Sequence, residues 1–259
     1  MKNEVSEKSS SGYSAPALDK GLDILELLSK SESGLSQQEI AGSLGRNLNE
    51  IYRMLTCLVA RNYISNQSNK YALTSKLFQL SHFHPPTYRL LSESIPVMEK
   101  LSADTLFPCD LRVYNTGVQT VIAAIQPPNG VGFMTRVGAE LKVGPSASGY
   151  VLVALQDPAI RTMRMEESLA DESPERIKNF KKEIEKVLKQ GFASIKSNQY
   201  AGLQAISYPI FDQHANAIAA LTVPMLARID DESQMGIDAV REKLAEASLL
   251  ISNRISLNL

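Results

Sequence analysis

The sequence predicts an α+β chain in two units, a winged helix-turn-helix joined by a linker helix to an antiparallel sheet flanked by helices. Three observations carry this reading. Two amphipathic helical patterns meet at Gly45, between Ser36 and Arg61. Two short β-prone runs around a polar turn follow at once, between Tyr63 and Leu73. Beyond Pro108 the hydrophobic period changes from helical to strand-like, and the strand runs are not strictly alternated by helices. The 259 residues suffice for two compact domains or one large one.

Residues 1–14 are rich in Ser, Lys and Glu and are expected to be disordered. Ala17 to Lys30 reads as a first helix, with Leu18, Leu22, Leu25 and Leu28 on one stripe and Ile24 beside it. A shorter helix, Ser36 to Leu44, opens on a capping box formed by Ser36 and Glu39. The stretch Gly45 to Arg61 is the reader helix. Ile51, Leu55, Leu58 and Val59 form its inward face, Asn47 its N-cap, and Glu50 stands three residues later as in a second box. Tyr63–Asn66 and Lys70–Leu73 flank Gln67-Ser68-Asn69 as a hairpin, and directly after a reader helix such a hairpin is a wing. This first domain spans 15–74.

Residues 75–87 are expected to be the linker, a short helical connector from Ser75 to Leu80 broken by SHFHPPT, because neither Pro85 nor Pro86 sustains a helix interior. The second domain, 88–259, opens on a helix from Tyr88 to Leu106 with Leu91, Ile95, Met98 and Leu101 inward and Pro96 within it. A hairpin (Asp110–Tyr114 and Gln119–Ile125) and a third strand at Gly132–Val137 come next. Ser146–Leu155 reads as a helix of small and apolar residues, and Ser173-Pro174 begins a charged helix ending at Gly191. Strands at Phe192–Ser197, Ala205–Phe211 and Ala217–Pro224 precede a final helix, Asp231–Ile255.

The formal net charge of −1 gives no overall basic field. Between Ala41 and Leu80, however, Arg46, Arg53, Arg61, Lys70 and Lys76 face a single acid, Glu50, a balance that suits a phosphate-facing patch as well as a solvated surface. Opposite its apolar face the reader helix carries Asn49, Tyr52, Arg53 and Thr56, donors able to meet base edges and phosphates of double-stranded DNA. Arg53 would take a guanine edge or a phosphate, or else pair with a neighbouring acid. Arg46, at the helix entry beside Asn47, would serve as a phosphate contact, and Lys70 with the turn amides would touch phosphates beside the groove. Glu50 has either a capping role or a cytosine amine to accept from.

In the second domain the N-terminus of the Ser146 helix attracts an anion. Its backbone amides through Ala147, with the Ser146 and Ser148 hydroxyls, would bind a carboxylate without a charged side chain. Arg136 would add a charge-assisted bond if it points inward, and Met134 and Tyr150 would offer walls. The alternative is that these small residues serve close helix–sheet packing. Catalysis is not expected. Gly144-Pro145-Ser146-Ala147-Ser148 lacks the fifth glycine of a nucleophile elbow and no Gly-rich phosphate loop is present; of the possible bases, His82 and His84 sit at the interdomain break with too little around them for a metal site, and His214 is in a polar turn. No cofactor is expected either. Cys57 and Cys109 offer no disulfide framework and are expected to be buried small side chains. With no apolar signal core and no apolar run near the ~18–20 residues of a membrane span, a cytoplasmic protein without a membrane partner is expected.

The chain resembles the IclR family of bacterial transcription regulators across roughly residues 15–256, in ALDKGLDILELL, GLSQQEIAGSLG and IYRML, and later in GLQAISYPIFD and AIAALTVP. The resemblance implies a C-terminal GAF/PAS-like effector domain, a homodimer or dimer of dimers on a pseudo-palindromic operator, and a small organic effector, often a carboxylate or an aromatic. It also implies a pocket lined at Gln199, Leu203, Ala205 and Ser207. A repressor is the expected role. The alternatives are an activator, or a sensor without DNA activity, against which the basic reader helix and the wing argue. Two departures stand out. Where many members have His-Ala-Thr/Ser-Ala-x-Gly-Lys, this chain has Gly144 in place of the His and Tyr150 in place of the Lys, and the reader helix has Asn49-Glu50 where Ser-Thr is common.

Overall fold

The structure, a computed structural model, describes residues 15–129, 132–197, 201–226 and 234–257. The expected N-terminal tail, Gln199 and the first residues of the expected final helix lie outside them. The chain divides into two units between Pro85 and Pro86.

The first unit contains α1 (Pro16–Ser29), β1 (Leu35–Ser36), α2 (Gln37–Leu44), α3 (Leu48–Ala60), β2 (Ile64–Gln67), β3 (Lys70–Leu73) and α4 (Lys76–His82). α2 begins on a complete capping box: Glu39 N–H donates to Ser36 Oγ, and Ser36 N–H donates to the Glu39 carboxylate at 2.7 Å. Gly45 ends it in the left-handed region at φ 60°, a conformation that costs a residue without a Cβ little. The Gln37 side-chain amide then donates to the Leu48 carbonyl at 2.8 Å and ties α2 to the start of α3. Asn47 caps α3 by accepting from Glu50 N–H at 2.9 Å. The return bond is not made, because the Glu50 carboxylate pairs instead with Lys20 of α1 at 2.9 Å. Ile24, Leu28, Ile40, Ile51, Leu55, Ile64 and Tyr71 form the core of this unit.

The wing turns through Ser68 and Asn69, both at positive φ (51° and 59°), as the two-residue hairpin geometry demands. Its strand β3 also pairs with β1, giving a sheet ordered β1-β3-β2. β1 has two residues and leaves no periodic trace in the sequence. The expected break at 81–87 is narrower than proposed. α4 runs to His82 and the next helix starts at Pro85, because proline is tolerated in a first helical turn where no intrahelical N–H bond is owed.

The second unit contains α5 (Pro85–Thr105), β4 (Cys109–Asn115), β5 (Val118–Ile125), β6 (Glu140–Lys142), α6 (Ala147–Ala154), α7 (Pro158–Leu169), α8 (Pro174–Gln190), β7 (Ala193–Lys196), β8 (Leu203–Phe211), β9 (Ala217–Leu226) and α9 (Ile237–Leu257). The strands form one antiparallel sheet ordered β6-β5-β4-β9-β8-β7. Alternation along each strand separates its two faces. Cys109, Leu111, Ile206, Ile210, Leu221 and Val223 pack with α5 and α9, the helices burying Leu90, Val97, Met98, Leu101, Val240, Leu244 and Ile251 against them. Leu91 and Ile95, expected inward on α5, are only half-buried, since the buried face runs through Leu90, Ser94, Val97 and Leu101. The opposite sheet face meets α6 and α8, where Val151, Leu152, Phe180, Ile184 and Val187 cluster.

The strand expected at Gly132–Val137 is absent. Gly132 lies so close to Pro108 that an added Cβ would sit 2.6 Å from Pro108 Cδ. Pairing with β5 is resumed only at the following turn, where Gly138 N–H donates to the Val121 carbonyl at 2.8 Å and Val121 N–H to that of Ala139 at 3.1 Å. β6 follows from there. α7, a helix not expected from the sequence, is polar and half-exposed, and is capped by Asp157 accepting from the Ala159 and Ile160 amides.

Candidate functional site

Each residue of α3 turns its side chain about 100° around the axis, so Ile51 and Leu55 inward leave Asn49, Tyr52, Arg53 and Thr56 on one outer arc. All four are exposed. Among the described residues Arg53 and Lys70 make no ion pair, whereas Arg46 reaches Asp23 at 3.6 Å. Lys70 begins the strand after the wing turn. Thr56 Oγ1 donates to the Tyr52 carbonyl at 2.9 Å.

Asn47 and Glu50 are used differently from the others. Asn47 is held by its capping bond, and the Lys20 ammonium beside Glu50 holds that carboxyl below its ordinary range. Asn47 thus caps α3, and Glu50 ties α3 to α1.

Cys57, expected to be buried, is exposed on α3. Four residues from Arg53, it is displaced by only about 40° around the helix and so borders the outer arc. Cys109 is buried as expected, and burial together with the neighbouring Asp110 charge pushes its thiol pKa far up.

In the second unit the α6 face of the sheet carries a continuous buried polar cluster that was not expected from the sequence. Asp110 and Arg112 stand two apart on β4 and so share that face. Arg112 Nε donates to Asp110 Oδ1 at 2.6 Å and Nη2 to Oδ2 at 2.8 Å. Its Nη1 donates to Ser148 Oγ at 3.1 Å, and Ser148 Oγ donates to Gln119 Oε1 at 2.6 Å. Gln119 Nε2 donates in turn to Ser146 Oγ at 2.7 Å and to the Lys142 carbonyl at 2.9 Å. Ser146 is the N-cap of α6, accepting from Gly149 N–H at 3.0 Å. Asp110 is fully buried and Arg112 is 8% exposed. Burial pushes the Asp110 carboxyl up from its ordinary value, against the opposing pull of Arg112. Beside them Ser207 and Thr222 bond through their hydroxyls at 3.0 Å.

Of the residues proposed for an effector, Ser146, Ala147 and Ser148 thus sit at one buried helix start, with Ser207 on the same sheet face as Asp110. Leu203 and Ala205 alternate onto that face further along β8. The hydroxyls of Ser146 and Ser148 are already engaged. Tyr150 points elsewhere: two residues beyond Ser148, it is turned about 200° around α6 and packs on Phe180 of α8, ring centroids 5.2 Å apart. Burial, then the Glu183 charge, pushes its hydroxyl pKa up to about 12. Met134 and Arg136 are exposed. The nearby side chain that does face the cluster is Thr135, whose Oγ1 lies 3.4 Å from Arg112 Nη2. Gln199 lies outside the described residues. The signal for the missed pair was present in the sequence, opposite charges at i and i+2 inside an apolar strand.

Comparison with known proteins places both units. Residues 87–253 match the model described as bacterial transcriptional regulator IclR C-terminal, and residues 17–68 match the IclR helix-turn-helix domain. The chain is 22% identical over 246 residues to the HTH-type transcriptional regulator XynR of Escherichia coli (strain K12), covering 92% of this chain and 96% of that protein. It is 21% identical over 215 residues to the HTH-type transcriptional repressor AllR of the same strain, covering 81% and 79%. Among solved structures, an IclR homolog complexed with 4-hydroxybenzoate, from Microbacterium hydrocarbonoxydans, shares the fold at a TM-score of 0.76 and 19% identity, covering 92% of this chain and 98% of that one.

Proposed function

The chain belongs to the IclR family of bacterial transcriptional regulators, and from that premise we propose a repressor whose binding to double-stranded operator DNA is modulated by a small organic acid or aromatic effector. The observation that carries the DNA half is the outer arc of α3, where Asn49, Tyr52, Arg53 and Thr56 are exposed together beside a wing bearing Lys70. Phosphate contacts from Arg46 and Lys70 supply salt-dependent affinity, and the α3 side chains supply sequence preference. The repressor role is supported by the relation to AllR, and an aromatic acid by the 4-hydroxybenzoate in a structural neighbour. The polar cluster at α6 is where such a ligand would be read.

A homodimer, or a dimer of dimers, completes the proposal. α1 exposes Leu18 and Leu22, and α4 with the residue after it exposes Leu77, Phe78, Leu80 and Phe83, with Phe83 75% exposed. Apolar side chains of this number on one small unit fit coverage by a second copy. Two readers would then meet half-sites about 34 Å apart or a multiple of it. Among the described residues no helix is long and apolar enough to cross a membrane, and the cytoplasm is the proposed place of action.

Fluorescence anisotropy on DNA from upstream of its own and neighbouring genes, at two salt concentrations and against scrambled competitor, tests this. Tight, competitor-resistant binding that an added organic acid shifts is the expected result. Absence of specific binding on every fragment would leave a sensor without DNA activity. A promoter-reporter assay separates repression from activation.

The exposed thiol provides an independent check. Maleimide should label Cys57 in the native protein and reach Cys109 only in denaturant. The bulky adduct, beside Arg53, should abolish specific DNA binding, while Cys57→Ala treated identically should bind as before. Labelled protein that still binds would move the DNA-facing surface off α3.

A further inference from the structure

We propose that Arg112 is the carboxylate anchor of the sensor, aimed by Asp110, and that an acidic effector docks on the outer edge of its guanidinium between Ser148 and Thr135. The inference deepens the effector reading above and rests on it. A guanidinium offers two forks of paired N–H groups, each matched to a carboxylate. The inner fork, Nε with Nη2, is taken by both oxygens of Asp110 at 2.6 and 2.8 Å. Among the described residues the outer fork, Nη1 with Nη2, meets only neutral hydroxyls, Ser148 at 3.1 Å and Thr135 at 3.4 Å. The second of these is the longest contact in the cluster and the easiest to exchange for a charge-assisted one.

The surroundings favour that exchange. Ser148 is the second residue of α6, whose N-terminus brings partial positive charge to the same spot. Thr135 belongs to the stretch between β5 and β6 that makes no ladder bonds over 132–137, so moving it breaks no sheet pairing. Asp110 has two consequences. It neutralises the buried guanidinium when no ligand is bound, and it fixes the plane in which the outer fork points. A residue chosen only to fill the interior would not need this arrangement, since well-packed apolar residues usually do as well as a buried ion pair. Arg136, the cation expected from the sequence, is exposed.

Thermal shift and calorimetry on the full chain test the assignment, using 4-hydroxybenzoate, benzoate, propionate and lactate at millimolar concentration, each beside its neutral amide. The wild type should be stabilised by at least one acid and not by the matching amide. Arg112→Lys keeps a cation opposite Asp110 but loses the outer fork. It should bind that acid about tenfold or more weaker by calorimetry, with any ligand-induced shift read against its own ligand-free melting temperature, which falls because one ammonium cannot bond both Asp110 oxygens and Ser148. Should Arg112→Lys fail to fold, the double variant Asp110→Asn/Arg112→Gln, a neutral hydrogen-bonded pair, should show the same loss. An amide that binds as well as its acid, a variant that keeps the acid's affinity, or no acid of the panel acting on the wild type would each overturn the anchor. Operator binding measured on the same preparations separates that failure from failure of the regulator reading, which would instead show as no specific DNA binding by the wild type.

Discussion

Arg53→Ala should lower operator affinity by about ten- to a hundredfold, the range expected when one bidentate contact of about 1–3 kcal/mol is removed. The fold should be untouched. Arg53 is exposed and makes no ion pair among the described residues, so its truncation leaves no buried partner behind. The circular dichroism spectrum and melting temperature should therefore match the wild type. What changes with salt and sequence then tells which kind of contact was lost. If Arg53 reads a base, the Arg53→Ala variant should bind mutated operators nearly as well as the original, with the salt slope intact. If it holds a phosphate, affinity should fall on all sequences alike and the slope should drop by about one per copy. Arg46→Ala is the natural comparison, because Arg46 already leans on Asp23 and has less to give to DNA. Unchanged operator affinity in Arg53→Ala would remove this residue from the interface.

What the sequence disclosed and what it hid divide along the range of the interactions. The Ser36 capping box, the Asn47 cap, the Ser68-Asn69 wing turn, the Ser146 cap and the Ser173 to Gly191 helix are each decided within a few residues, and their residue types name them. Glu50 was ambiguous because its partner, Lys20, comes from another helix. The Gly132–Val137 run is β-prone, but a strand also needs a partner edge, and the chain meets β5 only from Gly138 onward. That displacement leaves Met134 and Arg136 outward. Cys57 is expected inside by its residue type, whereas its angle around α3 places it at the outer arc. Asp110 and Arg112 are the instructive omission. Their spacing alone puts both on one face of β4, but that this face is covered depends on α6 and α8 packing over it from elsewhere in the chain.

Gly149→Ala should be the most damaging single substitution in the sensor, with an expected cost above about 4 kcal/mol, well beyond the usual range for one added methyl. A Cβ there would lie 1.7 Å from the Val143 carbonyl oxygen and 2.7 Å from Ser146 Oγ, the cap of its own helix. Both obstacles are bonded to each other, since Ser146 Oγ donates to that carbonyl at 2.7 Å, so neither can yield alone. Displacing α6 would also pull Ser148 from Arg112 and leave a buried guanidinium short of an acceptor. Urea denaturation should show the loss in the transition that carries the sheet, and a wild-type midpoint for this variant would mean that α6 does not start against Val143. Gly144→Ala provides the contrast. Its Cβ would meet the Phe180 ring at 2.8 Å, a side chain that can turn, and a cost of about 1–3 kcal/mol is expected. The same ring packs on Tyr150. The two replacements within the first departure from the family pattern, Gly144 for His and Tyr150 for Lys, are therefore linked through Phe180: glycine clears the space the ring occupies, and tyrosine packs against it. Gly144→His should accordingly be far less harmful in a Phe180→Ala background than alone. Additive costs in that double-mutant cycle would show that the ring does not couple the two positions.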